Sequence, residues 1–325
     1  MRVVIPGGTG QVGTVLARAF HAAGHQVVVL SRRPAAAPWR VVEWDGQRAG
    51  SWTSELEGAD AVINLAGRSV NCRYTASNRE AILSSRVAST RAIGLAMTRA
   101  EQPPTAWLQM STATIYSHRF DAPNDELTGI LGGAEPDAQD TWRFSIEVAK
   151  AWEEAAAEIP TTHTRKVLLR SAMVMSPDRG GIFDTLLGLV RLGLGGRAGS
   201  GRQYVSWIHD TDFTRAIFWL LEHKRIAGAV NLAAPGPVPN AEFMRALRQA
   251  WGMPIGLPAT RWMLAIGAMV MRTETELVLK SRRVVPGRLV AESFDFEFPE
   301  WSAAARDLCR RWRATRRGGP ASPRE

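Results

Sequence analysis

The run Gly7-Gly8-Thr9-Gly10-Gln11-Val12-Gly13 has the residue types and spacing to hold phosphate. It lies between a β-branched stretch, Val3-Val4-Ile5-Pro6, and an apolar-periodic stretch marked by Val15, Leu16 and Phe20, the order of strand, turn and helix. In that setting Gly7 permits a tight turn, Gly10 leaves the backbone bare for a pyrophosphate, and Gly13 lets the helix pack close to the strand. Thr9, Gln11 and Val12 complete a loop whose N–H groups open the helix and carry its partial positive charge. The chemistry this implies is dinucleotide binding. A second strand-like run ends Leu30-Ser31-Arg32-Arg33, without the carboxylate that would hold a ribose 2′-hydroxyl. A hydroxyl and two guanidinium groups suit a 2′-phosphate, so the expected cofactor is NADP, with Arg33 facing either the phosphate or solvent. Asp60, just before Ala61-Val62-Ile63, is placed either to meet the adenine side or to make a turn. Leu65-Ala66-Gly67 follows Asn64 as a small-residue turn that lets the cofactor pass.

These residues need a scaffold, and its pattern is regular. Short apolar runs at 3–6, 26–31, 39–44, 61–65, 105–111 and 166–174 alternate with helical patterns over 11–23, 78–99 and 143–157. Such alternation predicts an α/β fold, a Rossmann doubly wound parallel sheet with a smaller C-terminal substrate lobe. The stretch 117–141 is polar, rich in Gly, Pro and Asp, and too long for an ordinary connection, as lids and binding loops are. Further helices are expected near 211–221, 241–251 and 261–271. The expected domains are 1–178 for the cofactor, to which later elements can return, 179–308 for the substrate lobe, and 309–325 as a basic flexible tail.

With 325 residues, 45 % of them hydrophobic and 22 % charged, the chain has the composition of a soluble protein with a substantial core. That excludes disordered and collagen-like classes. Two cysteines, Cys72 and Cys309, are too few for a disulfide framework or a four-ligand zinc site, so no metal and a reducing, cytoplasmic compartment are expected. The first apolar run is too short for a signal-peptide core, and the stretch 262–271 is half the ~20 residues a membrane span needs. Residues 310–325 hold six arginines against Glu325 alone, which gives +5 of the formal +9. No nucleic-acid recognition motif accompanies them, so the partner expected is a small-molecule substrate rather than nucleic acid or membrane.

With these motifs in place, the chain resembles an extended short-chain dehydrogenase/reductase of the NAD-dependent epimerase/dehydratase-like branch. More narrowly, it is similar to an epimerase-family subgroup with a C-terminal domain of unknown function. The marks run nearly to Leu308: Asn64-Leu65-Ala66-Gly67, Ile82-Leu83-Ser84-Ser85-Arg86 with Thr90, Phe144 with Trp152-Glu153, Gly180-Gly181, and Ser206-Trp207-Ile208-His209 with Asp212. Val285-Pro286, Arg288-Leu289 and Phe294-Asp295-Phe296 match the C-terminal signature.

The resemblance implies a Ser or Thr at the end of the fifth strand bonding the substrate oxygen, and a Tyr-x-x-x-Lys pair on the next helix shuttling the proton. Thr112 matches the hydroxyl, with Ser111 beside it. Lys150 matches the lysine and either touches the nicotinamide ribose or is exposed, but Ile146 stands where the tyrosine belongs. Among three tyrosines, Tyr116 just past the fifth strand is the best placed substitute acid, or else a packing aromatic. His209 could exchange a proton near neutrality, or could be a hydrogen-bonder at a helix entry capped by Asp210 and Asp212. Val205 and Ser206 occupy the place of an arginine that holds nucleotide-sugar phosphate in this branch, with Arg202 a near substitute. The functions expected are an NADP(H)-dependent oxidoreductase or epimerase acting on a small carbonyl, alcohol or sugar-like substrate, or an NADP(H)-binding sensor or structural protein without turnover. The helices over 78–99 and 143–157 are of the kind that build homodimer interfaces in this superfamily.

Overall fold

Val3, Val4 and Ile5 of strand β1 (Arg2–Pro6) have 0 % exposure, which only a strand covered on both faces and flanked on both edges achieves. The computed structural model describes residues 1–136, 138–260 and 279–317. β1 leads into α1 (Gln11–Ala22), then β2 (Gln26–Ser31), β3 (Arg40–Glu43), β4 (Ala61–Asn64) and α2 (Ala76–Arg99). β5 (Ala106–Thr112), α3 (Asp140–Ala157) and β6 (Arg165–Ser171) follow. These strands and β10 (Gly228–Leu232) form one seven-stranded sheet in the order β3-β2-β1-β4-β5-β6-β10. Every pairing in it is parallel. The chain leaves β1 for β2 on one side and later fills the other side from β4, so the strand order reverses between β1 and β4. In an open parallel sheet that reversal opens a crevice at the carboxyl ends of the strands, where ligands bind.

The first lobe buries its strands between two helix layers. Leu16 and Phe20 of α1 pack with Phe213, Ile217 and Leu220 of α5 (Asp210–Glu222) on one face. On the other face Ile93 and Met97 of α2 pack with Trp107, Ala156 and Trp52. β10 returns to the sheet edge from well beyond residue 178, beside β6.

The run 166–174, expected as one strand, divides in two. β6 ends at Ser171, and β7 (Met173–Met175) instead pairs with β9 (Trp207–His209). The switch occurs where the Ala172 N–H donates to Leu232 O and the Met173 N–H turns to Ser206 O.

A second core joins α4 (Ile182–Arg191), α6 (Asn240–Trp251) and the helix Trp301–Arg317, which is α8. The short β8 (Tyr204–Val205) and β11 (Val238–Pro239) border it, and α7 (Gly287–Ala291) packs on β10. Trp301 stacks on Phe243 at 4.0 Å and donates its indole N–H to Phe243 O. α8 corrects the expectation of a flexible tail from residue 309. Cys309 and Trp312 are buried, and Arg311 grips the Asp210 carboxylate with two bonds of 2.7 and 2.8 Å. Apolar residues at helical spacing (Ala304, Ala305, Leu308, Cys309, Trp312) outweigh the arginine content that suggested a solvated end. The helix expected near 261–271 lies outside the described residues. Among the described residues no helix is long and apolar enough to cross a membrane.

Candidate active site

The loop after β1 has the geometry its glycines require. Gly7 sits at φ +77°, and a Cβ there would lie 2.8 Å from the backbone of Leu65 and Ala66, so the two loops touch. A Cβ on Gly13 would lie 2.4 Å from Gly8 Cα, which fixes how closely α1 approaches the turn. Gly10 differs, because a Cβ there would meet only Gly7 O, at 3.5 Å. Its bareness serves no packing and leaves the cradle open for a ligand. No side chain caps α1 and no acid stands in its first turn, so the N–H groups of Gln11, Val12 and Gly13 form an uncapped positive end. These features fit a dinucleotide's diphosphate.

A cleft of about 590 Å³ opens over this loop, with Gly7, Thr9 and Gly10 on one wall and Leu65, Ala66 and Gly67 on the other. Ser31, Arg32 and Arg33 line its outer end. The buried Ser31 hydroxyl lies 3.1 Å from Thr9 Oγ1 and accepts from the Arg33 N–H at 3.2 Å, while both arginines stay exposed. Trp44, Asp45, Gly46 and Gln47 complete that end, and Ser85 and Ser89 reach in from α2. Asp45 organises its turn by accepting from the Gln47 and Arg48 N–H groups, which hold its carboxyl below the usual carboxylate range.

Asp60 does not belong here. It precedes β4 and therefore sits at the opposite, amino edge of the parallel sheet. There its carboxylate accepts from the Arg2 N–H at 2.7 Å and its carbonyl from Thr105. The end-of-strand carboxylate that faces the cleft is Asp45, after β3.

At the carboxyl end of β5, Thr112 is half-buried, and its Oγ1 accepts from the Thr114 N–H at 3.2 Å. Tyr116 is buried, not poised as a free acid. Its hydroxyl donates to Asn231 Oδ1 and accepts from Arg170, each at 3.0 Å. Burial raises its pKa, against the opposing pull of Arg170. Arg170 also grips Glu153 with two bonds, of 2.9 and 2.8 Å, and Glu153 accepts from Ser111 Oγ at 2.6 Å. Ile146 is buried against Gly132, whose Cβ position lies 2.8 Å from Ile146 Cδ1. Lys150 is half-buried with its Nζ 3.6 Å from the Cβ position of Gly133.

His209 lies in the second core, stacked on Phe298 at 3.9 Å. Its Nδ1 accepts from the Thr211 N–H at 3.1 Å, so His209 itself caps α5, and its Nε2 pairs with Asp307 at 3.2 Å. Asp212, expected as a cap, instead accepts from the Glu297 and Phe298 N–H groups. Burial pushes the His209 imidazole below its ordinary pKa, against the pull of Asp210. Of the expected cofactor residues, Gly7, Thr9, Gly10, Ser31, Arg32, Arg33, Leu65, Ala66 and Gly67 line one cleft, Gln11, Val12 and Gly13 follow Gly10 at the start of α1, and Asp60 and Lys150 do not line it. Thr112 remains a half-buried hydroxyl at the end of β5, beside the buried Ser111.

The sequence profile of the NAD dependent epimerase/dehydratase family matches residues 3–233, from β1 to the end of β10. The chain belongs to that family. A second profile, a domain of unknown function (DUF1731), matches residues 259–308. Human epimerase family protein SDR39U1 is 34 % identical over 311 residues, covering 95 % of this chain and 99 % of the human protein. An epimerase family protein of Staphylococcus saprophyticus is 30 % identical over 94 % of this chain and 98 % of its own length. The crystal structure of human SDR39U1 with NADPH superposes with a TM-score of 0.82 at 32 % identity, over 95 % of this chain and 99 % of that one.

Ile146, at the position where the resemblance implies a tyrosine, is covered by Gly132 of the loop after β5. Glu153, Arg170, Asn231 and the cleft residues Arg68, Ser85 and Ser89 were not singled out as site residues from sequence. Trp152-Glu153 and Ser85-Arg86 stood among the family marks, which was the one available signal.

Proposed function

We propose that this chain is an NADP(H)-dependent oxidoreductase- or epimerase-type enzyme for a small carbonyl, alcohol or sugar-like substrate. The observation that carries the cofactor reading is the cleft itself. It has an uncapped α1 end beside bare Gly10 and an outer lip of Ser31, Arg32 and Arg33 with no carboxylate after β2. Gln11, Val12 and Gly13 would hold the diphosphate through their N–H groups, and the two guanidinium groups would hold the 2′-phosphate. NADPH in the crystal structure of human SDR39U1 supports the same reading. The bound nicotinamide supplies or accepts hydride, and the protein supplies orientation and a proton route. Thr112 donates its hydroxyl hydrogen to the substrate oxygen. With Tyr116 and His209 held by buried partners, water at the mouth of the site carries the proton.

The burial of Ile146 beneath Gly132 favours a second reading, in which the chain binds NADP(H) without turnover. A panel of carbonyl compounds mixed with protein and NADPH, followed by absorbance at the nicotinamide band, separates the two. Turnover that is lost in Thr112→Val and kept in Lys150→Ala is the expected result. NADPH binding without turnover across the panel would establish the second reading instead.

A further inference from the structure

Residues 280–285 of the C-terminal domain run as an extended stitch between β8 and the loop after β5. The Arg282 N–H donates to Tyr204 O, the Asn124 N–H donates to Arg283 O, and the Val285 N–H donates to Asn124 O. Ser206 Oγ donates to Arg282 O at 2.6 Å and accepts from the Val284 N–H at 2.8 Å. The Ser281 N–H donates to His118 Nδ1 at 2.7 Å. This stitch delivers two cations to one residue. Lys280 Nζ donates to Thr114 O at 2.9 Å, and Arg282 Nε donates to Thr114 Oγ1 at 3.2 Å. Lys280 is only 2 % exposed. Burying an ammonium is costly unless its bonds are well made, and Lys280 meets this cost with the Thr114 carbonyl and the nearby Glu135 carboxylate among its partners.

Thr114 is the residue whose N–H donates to Thr112 Oγ1. We infer that Lys280 and Arg282 are positioning residues, through which the C-terminal domain fixes Thr114 and so aims the Thr112 hydroxyl at the substrate oxygen. The inference rests on the reading of Thr112 given above. The physical step is simple. A threonine hydroxyl has one hydrogen to give and two lone pairs. With a backbone N–H already directed at its oxygen, the hydroxyl hydrogen points away from the turn, as a donor set before the substrate arrives. Holding Thr114 at its carbonyl and at its hydroxyl removes the rocking of the turn that would let Thr112 change rotamer. The two cations do not polarise the Thr114 N–H, which belongs to the preceding peptide unit; they hold its position.

Methyl NMR of the full chain tests this through the Thr112 methyl resonance and its χ1 couplings, with NADPH binding read in parallel by nicotinamide fluorescence. Lys280→Met and Arg282→Gln should each shift the Thr112 methyl and average its couplings over rotamers, and Lys280→Arg should restore a single rotamer. Lys166→Met is the control. Its Nζ likewise donates to two backbone carbonyls, Ala156 O and Ile159 O, at the amino edge of the sheet, and its loss should lower stability without moving Thr112. If Lys280→Met does not fold, the half-buried Arg282 still gives the answer through Arg282→Gln. A Thr112 signal unchanged in the folded variants, or moved equally by Lys166→Met, would overturn the inference. Failure of the wild-type chain to bind NADPH would instead strike the proposed function, leaving the Thr112 rotamer measurement intact.

Discussion

Gly10 and Gly13 lie one helical turn apart, and their lack of a side chain has different causes. At Gly13 the protein's own packing forbids a Cβ, whereas at Gly10 the space is open and only a ligand would need it. Gly13→Ala should therefore lower stability by about 1–3 kcal/mol, the range for overpacking, seen as a lower melting temperature. Gly10→Val should melt like the wild type yet lose NADPH binding in a fluorescence titration. At the other end of the cleft, Arg32→Asp would remove the proposed charge-assisted bond to the 2′-phosphate, worth about 1.5–3 kcal/mol, so NADPH should weaken tenfold or more while NADH changes little. Equal losses for both nucleotides would remove Arg32 from the 2′-phosphate site.

The glycine end of this cleft was legible because strand, turn and helix follow one another within a few residues, and the outer end because Ser31, Arg32 and Arg33 close a valine-rich strand. Asp60 was misplaced for a geometric reason. In a parallel sheet the residue before a strand and the residue after it lie at opposite edges, and only Asp45 follows its strand.

Elements meet at the carboxyl ends of β5, β6 and β10, where Ser111, Glu153, Arg170, Tyr116 and Asn231 form a continuous buried chain of bonds. Arg170→Met would strand the Glu153 carboxylate and should cost about 3–5 kcal/mol in urea denaturation. Tyr116→Phe should cost about 1–3 kcal/mol, since the Asn231 oxygen and an Arg170 N–H both lose a partner, and should leave NADPH affinity unchanged. A large loss of NADPH affinity in Tyr116→Phe would instead return Tyr116 to the cofactor site. Sequence could not decide between substitute acid and packing aromatic here. The deciding partners stand 54 and 115 residues away, in strands whose adjacency is set by the sheet order. The strand periodicity of 166–174 failed for a similar reason, since nothing local marks where a strand changes neighbours.

Across the whole molecule, the second core ties the C-terminal helix to the body, and two predictions belong to that scale. Trp312→Ala removes a buried indole packed against Trp251 and should cost about 3–5 kcal/mol, read as an early transition on thermal melting. His209 lies between Asp210, Asp212, Asp307 and Arg311, with burial pushing its imidazole pKa down. Its folded pKa is depressed, so the unfolded chain takes up the proton first. The stability His209 contributes is present above the unfolded value of about 6.5 and is lost as pH falls toward the folded value. The melting temperature should fall with acidification below about pH 6.5 in the wild type and fall less in His209→Gln. A fall of the same size in both would show that other groups govern acid sensitivity. The arginine-rich end read as solvated because charge counts ignore which face of a helix each residue occupies. In the fold its arginines pair with Asp210 and Asp184 while its apolar face closes the core.

Isothermal titration of the wild-type chain with NADPH and NADH, side by side at one salt concentration, bears most directly on the central claim that this cleft is built for a 2′-phosphorylated dinucleotide. Saturable NADPH binding at one site, with NADH weaker by about tenfold or more, is the predicted result. No heat from either nucleotide, or tighter binding of NADH, would contradict it.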